Sequence, residues 1–145
     1  MSTEPSCLLD TGVVIACLRG LAEVTSLLSH LVEKGPLAVS AITVLEVWQG
    51  AKEREIKATR AFFDGVRVIA FDQSLAEKAG LLVQQLRRSG ITISLPDASI
   101  AATALRLGIP ILTTNRKHFA PVPHLQVWDL KDKLSEHLEE KPSSH

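Results

Sequence analysis

Five short apolar stretches divide this chain: Cys7-Leu8-Leu9, Leu37-Ala38-Val39-Ser40, Val66-Arg67-Val68-Ile69, Ile111-Leu112-Thr113 and Leu125-Gln126-Val127-Trp128. Each is too short for a helix and reads as a strand. Longer segments with helical spacing lie between them. Residues 22–33 place Val24, Leu27, Leu28 and Leu31 on one face, and residues 75–88 do the same with Leu75, Ala79, Leu82 and Leu86. Strands that alternate with helices predict an α/β fold with a short parallel sheet and helices on both faces, since parallel neighbours need a crossover between them.

The punctuation supports this division. Gly35-Pro36, Ser89-Gly90 and Gly108-Ile109-Pro110 stop helices. Asp72-Gln73-Ser74 caps the helix over 75–88, while Thr43-Val44-Leu45-Glu46 and Ser94-Leu95-Pro96-Asp97 have the spacing of capping boxes. Helices are therefore predicted over 11–18 and 56–63, from Thr43 through Trp48, and over 98–107. Residues 1–130 read as one domain. Residues 131–145 read as a charged C-terminal tail, a short frayed helix followed by disorder.

The formal net charge is zero, so any nucleic-acid contact must come from a local basic patch. No apolar run is long enough to span a bilayer, and residues 1–6 lack a basic n-region, so a cytoplasmic protein without membrane contact is expected. Cys7 and Cys17 read as small buried residues. Neither a CxxC pair, a Cys/His zinc spacing nor a glycine-rich phosphate loop is present.

Four polar side chains occupy equivalent places near helix starts: Asp10, Glu46, Asp97 and Asn115. Each has a local alternative as a helix cap. Strand ends of a parallel sheet share one edge, however, so the four can converge there, where α/β sheets bind ligands. Glu46 and Asp97 sit in strongly apolar sequence with no Lys or Arg nearby in the chain. Carboxylates so close to a core need a counter-charge. A metal is the simplest one, and oxygen ligands suit Mg²⁺ or Mn²⁺. Thr11, Ser40, Thr43, Thr113 and Thr114 fall at the same strand ends. Their hydroxyls can orient the carboxylates or bond locally to the backbone.

Taken in order, Leu8-Leu9-Asp10-Thr11-Gly12, Ser40-Ala41-Ile42-Thr43-Val44-Leu45-Glu46, Pro96-Asp97-Ala98-Ser99-Ile100-Ala101-Ala102 and Leu112-Thr113-Thr114-Asn115-Arg116-Lys117-His118-Phe119 resemble the four signature blocks of PIN-domain ribonucleases, and within them VapC-type toxins of toxin–antitoxin pairs. The resemblance implies a three-layer α/β/α fold and Mg²⁺- or Mn²⁺-dependent endonucleolytic cleavage of RNA. It maps the metal-binding acids onto Asp10, Glu46 and Asp97. The fourth family position is an acid in many members. Here Asn115 stands in that block, with His118 where some members carry Asp, which leaves a second metal open. Thr11, Thr43 and Thr113 would support the acids. His118 is either an acid or a surface or supporting residue.

Arg116 and Lys117 adjoin Asn115 and are candidate RNA-phosphate contacts; a solvated surface is their alternative. Lys52, Arg54, Lys57 and Arg60 alternate with Glu53 and Glu55 and read as a solvated helix. The resemblance also implies a cognate antitoxin and a homodimer, with a larger toxin–antitoxin complex as a further option. Trp48, Phe62 and Phe63 are candidate groove or dimer residues, with the core as their alternative. Two rival readings remain. An aspartyl phosphatase needs a second acid two residues after the first, where this chain has Gly12. A catalytically silent RNA- or protein-binding module on the same fold need not bind metal.

Overall fold

The computed structural model describes residues 3–140. Strands β1 (Cys7–Leu9), β2 (Leu37–Ser40), β3 (Arg67–Ile69), β4 (Ile111–Thr113) and β5 (Val127–Asp129) form one sheet in the order β3-β2-β1-β4-β5, every pair parallel. The helices are α1 (Thr11–Leu18), α2 (Ala22–Val32), α3 (Ala41–Gln49), α4 (Ile56–Asp64), α5 (Gln73–Arg88), α6 (Leu95–Leu107), α7 (Arg116–Phe119) and α8 (Leu130–Glu140).

Successive strand side chains point to opposite faces, which splits the core in two. Leu8 and Ala38 pack against Leu75, Leu82 and Ile100 of α5 and α6. Cys7, Leu9 and Val39 pack on the other side against Val13, Val24 and Leu28 of α1 and α2. Leu8 and Leu9 have no exposed surface, and truncating either to Ala would cost about 2–5 kcal/mol. With both faces covered, β1, β2 and β4 are buried along their whole length rather than alternating, while the edge strand β3 is largely exposed.

β1 lies at the centre. The chain adds β2 and β3 on one side of it, then returns to add β4 and β5 on the other. The connection thus reverses between β1 and β4, and such a switch point leaves a crevice at the strand C-termini. Asp10 leaves β1 there and Thr114-Asn115 leave β4 there. Gly12 lets the two sides of the crevice approach closely, since a Cβ on it would meet the Thr114 hydroxyl.

Several boundaries differ from expectation. α3 starts at Ala41, capped by Ser40, whose Oγ accepts the Ile42 N–H at 3.0 Å. β2 runs straight into the helix, so the cap falls at the strand's last residue. Thr43 is fully buried inside the first turn and is not a cap. α6 starts at Leu95 instead of Ala98, with Pro96 accommodated in the first turn. Only half of the expected box forms there: Ser94 Oγ accepts the Asp97 N–H at 3.2 Å, while the Asp97 carboxylate turns elsewhere. The last strand is Val127–Asp129, because the Leu125 N–H turns back to Val122.

The charged tail is also more ordered than expected. α8 packs on α2, with Leu130 buried, Leu134 against the core and His137 Nε2 2.9 Å from Ser26 Oγ. Leu130, Leu134 and His137 recur at helical spacing, a stripe that the surrounding charge conceals. Residues 141–145, the end of the tail expected to be disordered, lie outside the described residues. Cys7 is buried, and its thiol is pushed up to about 12 by desolvation. Cys17 is only half-buried. Phe62 and Phe63 pack partly buried against the α1–α2 core, and Trp48 is half-buried with the Arg60 guanidinium 5.5 Å from its ring centroid. Among the described residues no single helix is long and apolar enough to cross a membrane.

Candidate active site

Asp10 is built into the crevice from both sides. Its Oδ1 accepts the Thr11 N–H at 2.8 Å, which caps α1, and its Oδ2 accepts the Thr113 hydroxyl at 2.7 Å from the end of β4. Its own N–H donates to the Leu112 carbonyl at 2.9 Å. Capping and ligation are therefore compatible, since each carboxylate oxygen keeps a second lone pair. The residue is 8% exposed. Burial pushes its pKa up; the Thr113 and Thr11 bonds oppose that, and the nearby charges of Asp97 and Glu46 add to it.

Glu46 sits on the second turn of α3. Its Oε1 lies 2.7 Å from the Thr11 hydroxyl, which is also 3.1 Å from Thr43 Oγ1. Thr11 has one proton to give and the carboxylate is the stronger acceptor. The Thr11 hydroxyl therefore leans between the two acceptors, with the shorter bond to Glu46. Thr43 thus bears on Glu46 through Thr11, whereas Thr113 touches Asp10 directly.

Asp97, on the first turn of α6, has a side chain 21% exposed, and its Oδ2 lies 3.1 Å from His118 Nδ1. His118 Nε2 in turn lies 3.1 Å from the Asn115 amide nitrogen. The same amide nitrogen is 3.2 Å from His118 Nδ1, so it faces the ring edge between the two nitrogens. Asn115 therefore belongs to the Asp97–His118 side of the crevice, and its N–H is held by Thr113 Oγ1 at 2.9 Å. Arg116 pairs with Asp132 of α8 at 3.7 Å. Lys117 is exposed and pairs with no carboxylate among the described residues.

Among the described residues no Lys or Arg pairs with Asp10, Glu46 or Asp97, and no three His, Cys, Asp or Glu side chains converge tightly enough to cage one ion by themselves. The donors are hard oxygens, and Asp10 is a buried carboxylate whose charge is opposed by its surroundings. That combination fits an ion that keeps several waters and takes one or two protein carboxylates, which is how Mg²⁺ binds, and it does not fit an all-protein cage. His118 is the residue whose contact the sequence does not make plain. Its one signal is a spacing of a single helical turn from Asn115.

The match to the PIN domain family spans residues 7–125. Ribonuclease VapC19 of Mycobacterium tuberculosis is 35% identical over 120 residues, 82% of this chain and 96% of that protein. The tRNA(fMet)-specific endonuclease VapC of Salmonella typhimurium is 25% identical over 132 residues, 84% of this chain and 96% of that protein. A toxin–antitoxin complex from Klebsiella pneumoniae contains a chain that superposes with a TM-score of 0.71 at 31% identity, over 86% of this chain and all of that one. The chain belongs to the PIN-domain family and, within it, to the VapC-type ribonucleases of toxin–antitoxin pairs.

Proposed function

We propose that this protein is a Mg²⁺- or Mn²⁺-dependent endoribonuclease, the toxin of a toxin–antitoxin pair, acting in the cytoplasm on RNA phosphodiesters. One observation carries the reading: a buried carboxylate, Asp10, is fixed by Thr11 and Thr113 at the sheet's switch point, within electrostatic reach of Glu46 and Asp97 and without a basic partner. Asp10 would ligate the cation directly, with Asp97 and Glu46 holding it directly or through the waters it keeps. When bound, a divalent ion supplies Lewis acidity at the phosphate and eases deprotonation of water.

The chain's own groups supply the rest. Asp10 is held rigidly by bonds from α1 and β4. Glu46 has Oε1 engaged by Thr11, which leaves Oε2 to take a proton from the attacking water. Asn115 and His118 orient Asp97 from the solvent side. Arg116 and Lys117, directly after Asn115, hold flanking phosphates.

The partners follow from surfaces beside the site. Leu45 and Leu95 are 64% and 71% exposed, next in sequence to Glu46 and near Asp97, and suit burial against a second copy of the chain. A cleft lined by Ile15, Leu18 and Val47 also carries Arg19, Lys52 and Arg54 against a single acid, Glu55, which suits an amphipathic antitoxin segment bearing acids. A homodimer with bound antitoxins makes the larger complex.

The test is cleavage of total cellular RNA by partner-free protein with Mg²⁺ or Mn²⁺, beside Asp10→Asn. Cation-dependent cuts that vanish in the variant are expected, and mapping them would identify the RNA. Absence of both cutting and cation binding would instead support a silent binding module.

A further inference from the structure

The strand register places Thr113 beside Asp129, so the segments leaving β4 and β5 run side by side along the catalytic edge. Between them lies an open cleft of about 710 Å³. Thr114 and Asn115 form its end nearest Asp10, and Arg116 and Lys117 continue the same wall. The opposite wall is the start of α8, with Lys131 at the rim and Leu130 and Leu134 beneath.

The charge balance of this cleft is one-sided. Its one lining carboxylate, Asp129, accepts the Asp132 N–H at 3.3 Å and so is turned into the first turn of α8. Asp132 engages Arg116, but Lys117 and Lys131 have no carboxylate partner among the described residues. Lys133, two residues on, shows what an internally used lysine looks like here. Its Nζ lies 4.2 Å from the Trp128 ring centroid and 3.2 Å from Glu136 Oε2. In a chain of zero net charge, the two unpaired lysines around a cleft that opens beside Asp10 outweigh the charge of Asp129 and form a local basic track.

We infer that this cleft carries the RNA strand away from the scissile phosphate, with Lys131 of α8 as a phosphate contact facing Arg116 and Lys117. The inference rests on the endoribonuclease reading above. It gives α8 a substrate-binding role, where the sequence suggests only a charged tail.

The experiment uses the full chain carrying Asp10→Asn, so that RNA is bound but not cut. A fluorescent single-stranded RNA of mixed sequence is titrated by anisotropy over a range of salt concentrations. Lys131→Ala in that background is expected to weaken binding about three- to tenfold and to lower the magnitude of the salt slope by about 0.7, the share of one phosphate contact on a single strand. Lys131→Arg should restore both. Lys78→Ala, an exposed lysine beside a separate cleft between α5 and α6, should change neither. RNA binding that keeps its affinity and slope in Lys131→Ala overturns the inference while leaving the endoribonuclease reading intact. Loss of affinity for a co-purified antitoxin with RNA affinity unchanged also overturns it, and assigns the cleft to the protein partner. If neither the Asp10→Asn chain nor the parent binds RNA, and the parent cuts none, both readings fall together.

Discussion

Asp10 and Asp97 are both carboxylates at the head of a helix, yet they are held in opposite ways. Asp10 is nearly buried, takes two donors from elements on either side of the switch point, and shares its surroundings with the central strands of the sheet. Asp97 is partly exposed and has one contact, to a histidine whose side chain is 55% exposed. The core sets the first acid before any ligand arrives. The second keeps a partner that a ligand can displace. A site built this way has one rigid anchor and one adjustable wall, which suits a centre that must accept both an ion and a bulky polymer.

The largest expected effect comes from the rigid side. Asp10→Asn should lower RNA cleavage by roughly 10³-fold or more, as expected for a group around which the reaction is assembled. It should also raise the melting temperature in cation-free buffer at neutral pH. The pKa of Asp10 in the folded protein lies above the ordinary 3.8. Between those two values the folded state binds more protons than the unfolded one, so stability falls as pH rises through that window and the deficit persists above it. Asn carries no such deficit. Melts of parent and variant from acid to neutral pH should therefore diverge as pH rises; curves that stay parallel would mean the buried charge is not strained.

Thr113→Val comes next. It removes the hydroxyl that donates to Asp10 and accepts from Asn115, leaving a buried carboxylate short of a donor. The cost should be about 2 kcal/mol in denaturant unfolding, with cation affinity or activity reduced roughly 10- to 100-fold. An unchanged Kd for Mn²⁺ by calorimetry would show that Asp10 needs no such anchor.

Gly12→Ala tests the close approach between the two sides. The new Cβ meets the Thr114 hydroxyl, which is exposed and able to rotate, so the cost should be on the order of 1 kcal/mol. Thr114→Ala in the same chain should recover most of it. A double-mutant cycle with no coupling would place the strain elsewhere.

The smallest effect belongs to the adjustable wall. His118→Ala removes a half-exposed contact to Asp97 and should change stability by only about 0.5 kcal/mol, with cation affinity moved no more than a few-fold. An effect as large as that of Thr113→Val would erase the contrast between the two acids.

Much of this arrangement is legible in the sequence. The bounds of α1 and β2 and the cores of α2 and α5 follow from apolar spacing and from stops such as Gly35-Pro36. The parallel sheet follows from alternation. Where the reading went astray, a local signal competed with a longer-range one. Thr43-x-x-Glu46 has the form of a cap, but Ser40 takes that place because the strand leads directly into the helix. In α8 the charge conceals Leu130 and Leu134, which bury against α2.

The sequence by itself determined the layered α/β class and the polar residues that stand at strand exits, because both depend on periodicity and on neighbours along the chain. Only the tertiary structure decided which of those residues meet. The strand order β3-β2-β1-β4-β5 brings Asp10 to Thr113 across 103 residues. Helix packing brings Thr11 to Glu46, and a turn of α7 brings His118 to Asp97. These contacts depend on distances between segments remote in the chain, and no local pattern encodes such a distance.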